Sequence, residues 1–256
     1  MAANVAVERK TLFQRLLSSA PEDINKHYKV IKTIGSGAQG DVEKVQNLKT
    51  GAISAMKTLQ FKADEKLNKN LKREISIIAK LRCHVNIVRL LHVVHGLNDK
   101  LHMVMELCDE DLVRYMKTDG SRSEFSRLSV ALQVAKGIDV LHTHDPQIIH
   151  RDIKPENILI VRGDEAGDVV VKLADFGIST SDIDLSSTNT IGAPILLTKG
   201  PSGTWPYMPP ECYAALDMIG LKDGKFCFDA SLDIFAHGLV YLYVFCYDDS
   251  RYGEIQ

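Results

Sequence analysis

The chain has 256 residues, 45% of them apolar and 25% charged, with a formal net charge of −2. That is enough apolar material for one or two buried cores, and the balanced charge excludes an electrostatic footprint for nucleic acid or an anionic membrane as a main partner. Cys83, Cys108, Cys212, Cys227 and Cys246 are scattered without paired CxxC spacing, which argues against a disulfide framework or zinc site and for a reducing, cytoplasmic or nuclear, compartment.

Residues 1–27 form a leader without the apolar h-region of a secretory signal. Leu12, Phe13, Leu16 and Leu17 recur at helical spacing before Ser18-Ser19-Ala20-Pro21 stops the pattern. Either a short helix rests on the first lobe, or the segment serves docking or targeting. From Tyr28 the pattern is strand-like and runs into Gly35-Ser36-Gly37-Ala38-Gln39-Gly40. A dinucleotide-binding turn must open a helix. Here Asp41 to Val45 continues extended, Asn47 to Gly51 turns, and Ala52 to Lys57 returns. That is a glycine-rich hairpin, whose backbone can close over phosphates.

A basic helix is predicted over 64–81, with Ile75, Ile78 and Leu81 on its buried side and Glu74 one turn before Ile78. The strand Leu101-His102-Met103-Val104-Met105 runs into Glu106-Leu107-Cys108-Asp109. Residues 124–144 form a long helix, with Leu128, Leu132, Ala135, Ile138 and Leu141 as its apolar stripe. Two extended runs, 158–161 and 169–173, flank a polar turn containing Arg162-Gly163-Asp164, a triplet most simply read as part of that turn. A patternless Ser/Thr-rich segment follows up to Glu211, of a length that marks a functional or disordered loop. Residues 234–247 are too short an apolar run to span a bilayer, include His237 and read as a buried helix.

Two further stretches carry the chemistry. His150-Arg151-Asp152-Ile153-Lys154-Pro155-Glu156-Asn157 puts a carboxylate, an ammonium and a carboxamide on one loop, and Asp175-Phe176-Gly177 adds a carboxylate after the next hairpin. A carboxylate to orient a hydroxyl, an ammonium for phosphate charge, and Asn with Asp for magnesium are what phosphoryl transfer needs.

These motifs, in this order from residue 28 to about 247, resemble the eukaryotic protein kinases of the serine/threonine branch. The resemblance implies an α+β fold of two lobes: a small antiparallel-sheet N-lobe with one helix at 28–105, a hinge at 106–110, and a mainly helical C-lobe at 111–256. It implies transfer of the ATP γ-phosphoryl group to Ser or Thr hydroxyls of protein substrates in signalling, with Mg2+, or Mn2+ in its place. Residue by residue, Asp152 would orient the acceptor, Lys154 would stabilise the transferred group, and Asn157 and Asp175 would hold the metal. Lys57, fixed by Glu74, would hold the non-transferred phosphates. Ile34, Gly35, Ser36, Gly37, Ala38, Gly40, Val42, Ala55 and Leu159 would enclose the nucleotide. The hinge residues Glu106 and Cys108 would meet the adenine edge through their backbone, with Asp111 on the ribose. Met105 would be the gatekeeper, a core methionine, or both.

Lys154 with Thr204 in Gly203-Thr204-Trp205-Pro206-Tyr207-Met208-Pro209-Pro210-Glu211 is similar to the Ser/Thr pattern, with Pro209 in place of the commoner Ala. Asp233 matches the residue that ties down the catalytic-loop backbone. Arg151 is either packed in its loop or pairs with a phosphate placed by an upstream kinase or by autophosphorylation. The acceptors for that phosphate are Ser179, Thr180, Ser181, Ser186, Ser187, Thr188, Thr190 and Thr198. The family's C-lobe normally continues with further helices beyond the position of Tyr247, so the resemblance leaves this one truncated and the apolar surface around residues 234–247 uncovered. The alternative function is therefore a non-catalytic, nucleotide-binding regulatory module of pseudokinase type.

Overall fold

Short-range antiparallel pairing builds the first part of the chain. The computed structural model describes residues 20–37, 40–60, 65–81, 84–118, 123–164, 168–181, 196–198, 203–217 and 226–247. The leader residues 12–17 and Ala38 lie outside them. Contacts divide the chain into two units, Met1–Arg82 with Arg89–Leu107, and Cys83–Val88 with Cys108–Gln256.

The first unit is a five-stranded sheet of β1 (Tyr28–Gly37), β2 (Gly40–Asn47), β3 (Ile53–Gln60), β4 (Leu90–His95) and β5 (Lys100–Met105), with the helix α1 (Glu65–Leu81). Strand order is β1-β2-β3-β5-β4, and all neighbours are antiparallel. The β2–β3 turn forms because the Asn47 side chain accepts hydrogen bonds from Lys49 N at 3.0 Å and Thr50 N at 2.9 Å. Gly51, at φ 74°, closes the turn in a conformation that only glycine adopts at little cost. Strand β3 runs three residues past Lys57, and its Ser54 to Lys57 are buried in succession, as a central strand requires. On α1 the predicted Ile75, Ile78 and Leu81 are buried, joined by Leu71, Ile77 and Glu74.

The second unit contains β6 (Glu110–Asp111), α2 (Leu112–Thr118), α3 (Glu124–His142), β7 (Ile148–Ile149), β8 (Ile158–Arg162) and β9 (Val169–Leu173). After these come β10 (Thr180–Ser181), β11 (Leu196–Thr198), α4 (Pro210–Asp217), β12 (Phe226–Phe228) and α5 (Ser231–Cys246). Strands β6-β8-β9 form one sheet, and β7/β10 and β11/β12 form two-stranded ladders. Residues 83–88, expected with the N-lobe, group with this unit: Val88 N donates to Leu173 O and Leu173 N to Asn86 O, both at 2.9 Å.

The stripe predicted for α3 is corrected. Leu128 and Leu132 are 53% and 52% exposed, and the buried row is Val130, Ala131, Val134, Gly137, Ile138 and Leu141. Both rows share Ile138 and Leu141, so spacing alone does not choose between them. Close approach does: a Cβ on Gly137 would stand 2.9 Å from Leu173 Cδ1 and 3.1 Å from Asn86 O. The N-cap is Ser123, whose hydroxyl accepts from Ser126 N at 3.2 Å.

Helix α5, predicted as buried, is buried on one side only. Leu232, Asp233, Ala236, Val240, Tyr243 and Val244 are covered, whereas Ile234 and Leu242 are 55% and 53% exposed. Arg127 Nη1 donates to Val244 O at 3.0 Å and Phe245 O at 3.1 Å, satisfying carbonyls at the C-terminal end of α5. The Arg-Gly-Asp triplet begins on the last residue of β8, and Gly163 N donates to Asp168 O at 2.7 Å. Its Arg162 is held by the Glu110 carboxylate and lies over the Tyr115 ring. Among the described residues no helix is long and apolar enough to cross a membrane.

Candidate active site

The loop between β7 and β8 is held by one buried carboxylate from the first turn of α5. Asp233 is fully buried; its Oδ2 accepts from His150 N at 2.7 Å and its Oδ1 from Arg151 N at 2.8 Å. His142 Nε2, from the end of α3, lies 2.9 Å from the same Oδ2. A buried carboxylate needs such donors, and charge-assisted hydrogen bonds are the strong ones. They hold Arg151 at φ 72°, a left-handed conformation unfavourable for a side-chain-bearing residue. Gly203 fits against this turn at φ 141°, where a Cβ would stand 2.7 Å from Arg151 O.

His150 braces the loop from within. Asp152 N lies 3.3 Å from its Nδ1, which leaves Nε2–H to donate to Ala174 O at 3.0 Å. The ring packs on Phe176 with centroids 4.9 Å apart. Ser179, named among the phosphate acceptors, is corrected: it is fully buried and its hydroxyl donates to His150 O at 3.0 Å.

Asp152 is the centre of the polar cluster. Its Oδ1 accepts from Thr204 Oγ1 at 2.7 Å; its Oδ2 accepts from Lys154 Nζ at 2.9 Å and Asn157 Nδ2 at 2.8 Å. Lys154 Nζ also donates to Thr204 Oγ1 at 2.6 Å, and Asn157 Nδ2 to Asp152 O at 2.8 Å. Burial alone would raise the Asp152 pKa. The hydrogen bonds from Lys154, Thr204 and Asn157, with the Lys154 charge, outweigh it and hold the carboxyl below its ordinary value. Ala174 N donates to Asn157 O at 2.9 Å, and Asp175 follows at φ 61°, half-buried, with Gly177 N 3.4 Å from its Oδ1.

Beside Asp152 and Thr204 lies a small pocket lined also by Tyr207, Met208, Cys212 and Leu232. Burial, then the neighbouring Glu211, push the Cys212 thiol up against the opposing pull of Arg151, so it is not a thiolate nucleophile at neutral pH.

In the first unit, Lys57 Nζ donates to Glu74 Oε1 at 2.9 Å, with both side chains 9% exposed. The pair is buried and matched, and breaking it by removing one partner would leave a buried charge. Lys57 is paired across the sheet with Val42, and the buried Ala55 with Met105. In the glycine-rich hairpin Gly35 is opposite Val42, Ser36 opposite Asp41, and Gly37 opposite Gly40, with Ile34 exposed. Gly40 sits at φ 113°, where a Cβ would meet Thr58 O at 2.2 Å. Glu106 is tied to Arg89: its N donates to Arg89 O at 3.0 Å, and its Oε1 accepts from Arg89 N at 2.7 Å.

In the second unit Cys108 and Leu159 are half-buried, and Leu159 is paired with Asp111. One Asp111 carboxylate oxygen accepts from Arg114 N at 2.8 Å, at the start of α2. The second unit thus gathers Asp152, Lys154 and Asn157 directly, with Asp175 reached through Ala174. The first gathers Lys57, Glu74, Val42, Ala55 and Met105. Sequence reasoning read Thr204 only as a branch marker and missed it as an Asp152 partner. It also missed Gly203 and His142, for which local pattern carries no signal.

A model of the protein kinase domain matches residues 28–252. The chain is 34% identical over 171 residues to a cyclin-dependent kinase 4 homolog of Caenorhabditis elegans, covering 63% of this chain and 40% of that protein. It is 30% identical over 241 residues to calcium-dependent protein kinase 5 of Plasmodium berghei, covering 93% of this chain and 38% of that protein. The chain spans about two fifths of the length of these curated relatives.

Proposed function

The chain belongs to the eukaryotic protein kinase superfamily, and from that premise we propose that it transfers the γ-phosphoryl group of ATP to Ser and Thr hydroxyls of protein substrates. The observation that carries the reading is the cluster in which Lys154, Thr204 and Asn157 all donate to the Asp152 carboxylate. Phosphoryl transfer asks for positioning and charge stabilisation rather than covalent chemistry.

Each side chain then has a task. The acceptor hydroxyl donates to Asp152, which orients its oxygen toward phosphorus. Held below the ordinary carboxylate range, Asp152 is a weak base at neutral pH and takes the proton as the new O–P bond forms and the bond to the ADP oxygen breaks. General-base assistance of this kind contributes about 10²–10⁴-fold. Lys154, 2.9 Å from that carboxylate, supplies positive charge beside the transferred group. Lys57, with its geometry set by Glu74, holds the phosphates that stay behind.

The residues fit magnesium. Asn157 commits its Nδ2 to Asp152, which leaves its amide oxygen for a hard cation, and Asp175 adds a carboxylate. Among the described residues no group of three or more His, Cys, Asp or Glu could hold a metal ion. A site that takes few protein oxygens and completes its shell with phosphate and water suits magnesium. Bound there, it would offset charge on the β- and γ-phosphate oxygens.

Phosphoamino-acid analysis after incubation with γ-labelled ATP and mixed peptide acceptors tests the specificity. Label on serine and threonine is expected; label confined to tyrosine would contradict it.

A further inference from the structure

Among the described strands β9 pairs only with β8, in the order β6-β8-β9, yet most polar groups along its outward edge have partners. Gln133 Nε2 donates to Val169 O at 2.9 Å, and Val171 N donates to Gln133 Oε1 at 3.0 Å. Asn86 Nδ2 donates to Val171 O at 2.8 Å and to Gln133 Oε1 at 3.1 Å. Leu173 N donates to Asn86 O, and Val88 N to Leu173 O, each at 2.9 Å. One carboxamide on α3 thus stands where a neighbouring strand would put a peptide group, and the backbone of residues 86–88 continues the ladder. Gly137, one turn further along α3, leaves the space for this approach. An unpaired edge is otherwise free to shift or to recruit other partners.

The strand so gripped leads straight into Ala174, which bonds to Asn157 O, and then Asp175. We propose that Gln133 and Asn86 are positioning residues that set the register of β9 and thereby the Asp175 and Asn157 oxygens. The inference rests on the reading of those two residues as the metal pair. Gln is required because its amide presents an acceptor to Val171 N and a donor to Val169 O at once. Glu keeps the shape and loses the donor, and Met keeps the bulk and loses both. Partners behind metal ligands typically change affinity by about 10–100-fold when removed.

The test uses Gln133→Met and Gln133→Glu, with Ser129→Ala as control, since that change keeps the Gln133 amide and both its bonds to the strand and removes only the 3.3 Å bond from Nε2 to the Ser129 hydroxyl. Mn2+ binding in the presence of adenylyl imidodiphosphate is followed by the electron paramagnetic resonance signal of free Mn2+. Hydrogen exchange of the Val171 amide is measured on the same samples. The expected result is an apparent Kd for Mn2+ about 10-fold or more weaker in Gln133→Met, and faster Val171 exchange. The control should bind as the wild type does.

Folded variants with unchanged Mn2+ affinity would overturn the proposal, as would both Gln133 variants failing to fold, since Gln133 would then serve stability alone. If the wild type itself bound no Mn2+ with nucleotide, the metal-pair reading would fail instead. Val171 exchange would then judge the clip: faster exchange in Gln133→Met supports it, and unchanged exchange overturns it.

Discussion

The behaviour of Asp152 follows from opposing influences on one carboxylate. Burial favours the neutral acid, while the donors Lys154, Thr204 and Asn157, with the Lys154 charge, favour the anion and win. A carboxyl depressed in the folded state adds stability above its unfolded value, near 3.8, and that stability is lost as pH falls through the lower folded value. The same sign governs activity, because the anion is the working form. Lys154→Met removes both a hydrogen bond and a charge and leaves the burial. The acid limb of the kcat profile should therefore move up in pH relative to the wild type, with kcat lower by about 10²–10³-fold. An acid limb that stays in place would show that Lys154 does not set the Asp152 charge. Asp152 and Lys154 were legible in the sequence because they share one loop. Thr204 as a partner was not, because it joins them from 52 positions away from Asp152, and no local pattern encodes such a meeting.

Among the elements, α3 shows what periodicity can and cannot decide. Its existence and span were legible from helical spacing, which put it at 124–144 against the observed Glu124–His142. Its buried row was not, since Leu128 and Leu132 offer as good a helical stripe as Val130 and Val134. The choice is made by a small residue, Gly137, that lets the helix approach β9. The energetic consequence is checkable by urea unfolding. Val134→Ala, at a fully buried position, should cost about 1–3 kcal/mol. Leu132→Ala, half-exposed, should stay within about 0.5 kcal/mol. The opposite ranking would place the core on the other row. Strands β1 to β3 raised no such ambiguity, because each hairpin turn carries its own Asn or Gly signal. Asp111, given the ribose contact by resemblance, has one carboxylate oxygen engaged at the start of α2.

At the scale of the whole molecule, the order of motifs made the α+β class legible in the sequence. Residues 83–88 were assigned to the first lobe by their place in the chain. They group with the second unit because the partners of Asn86 lie 47 and 85 positions downstream, at Gln133 and Val171. Long-range pairing of that kind is invisible to local pattern. The central claim, that these residues form a working phosphotransfer site, is tested most directly by comparing the wild type with Asp152→Asn. Phosphate transfer from γ-labelled ATP to a Ser/Thr acceptor is read with and without magnesium, alongside the thermal shift that magnesium–ATP produces. Magnesium-dependent transfer by the wild type is expected to fall by about 10²–10⁴-fold in Asp152→Asn, with both proteins stabilised alike by magnesium–ATP. Equal transfer by the two proteins, or stabilisation of the wild type without any transfer, would contradict the account.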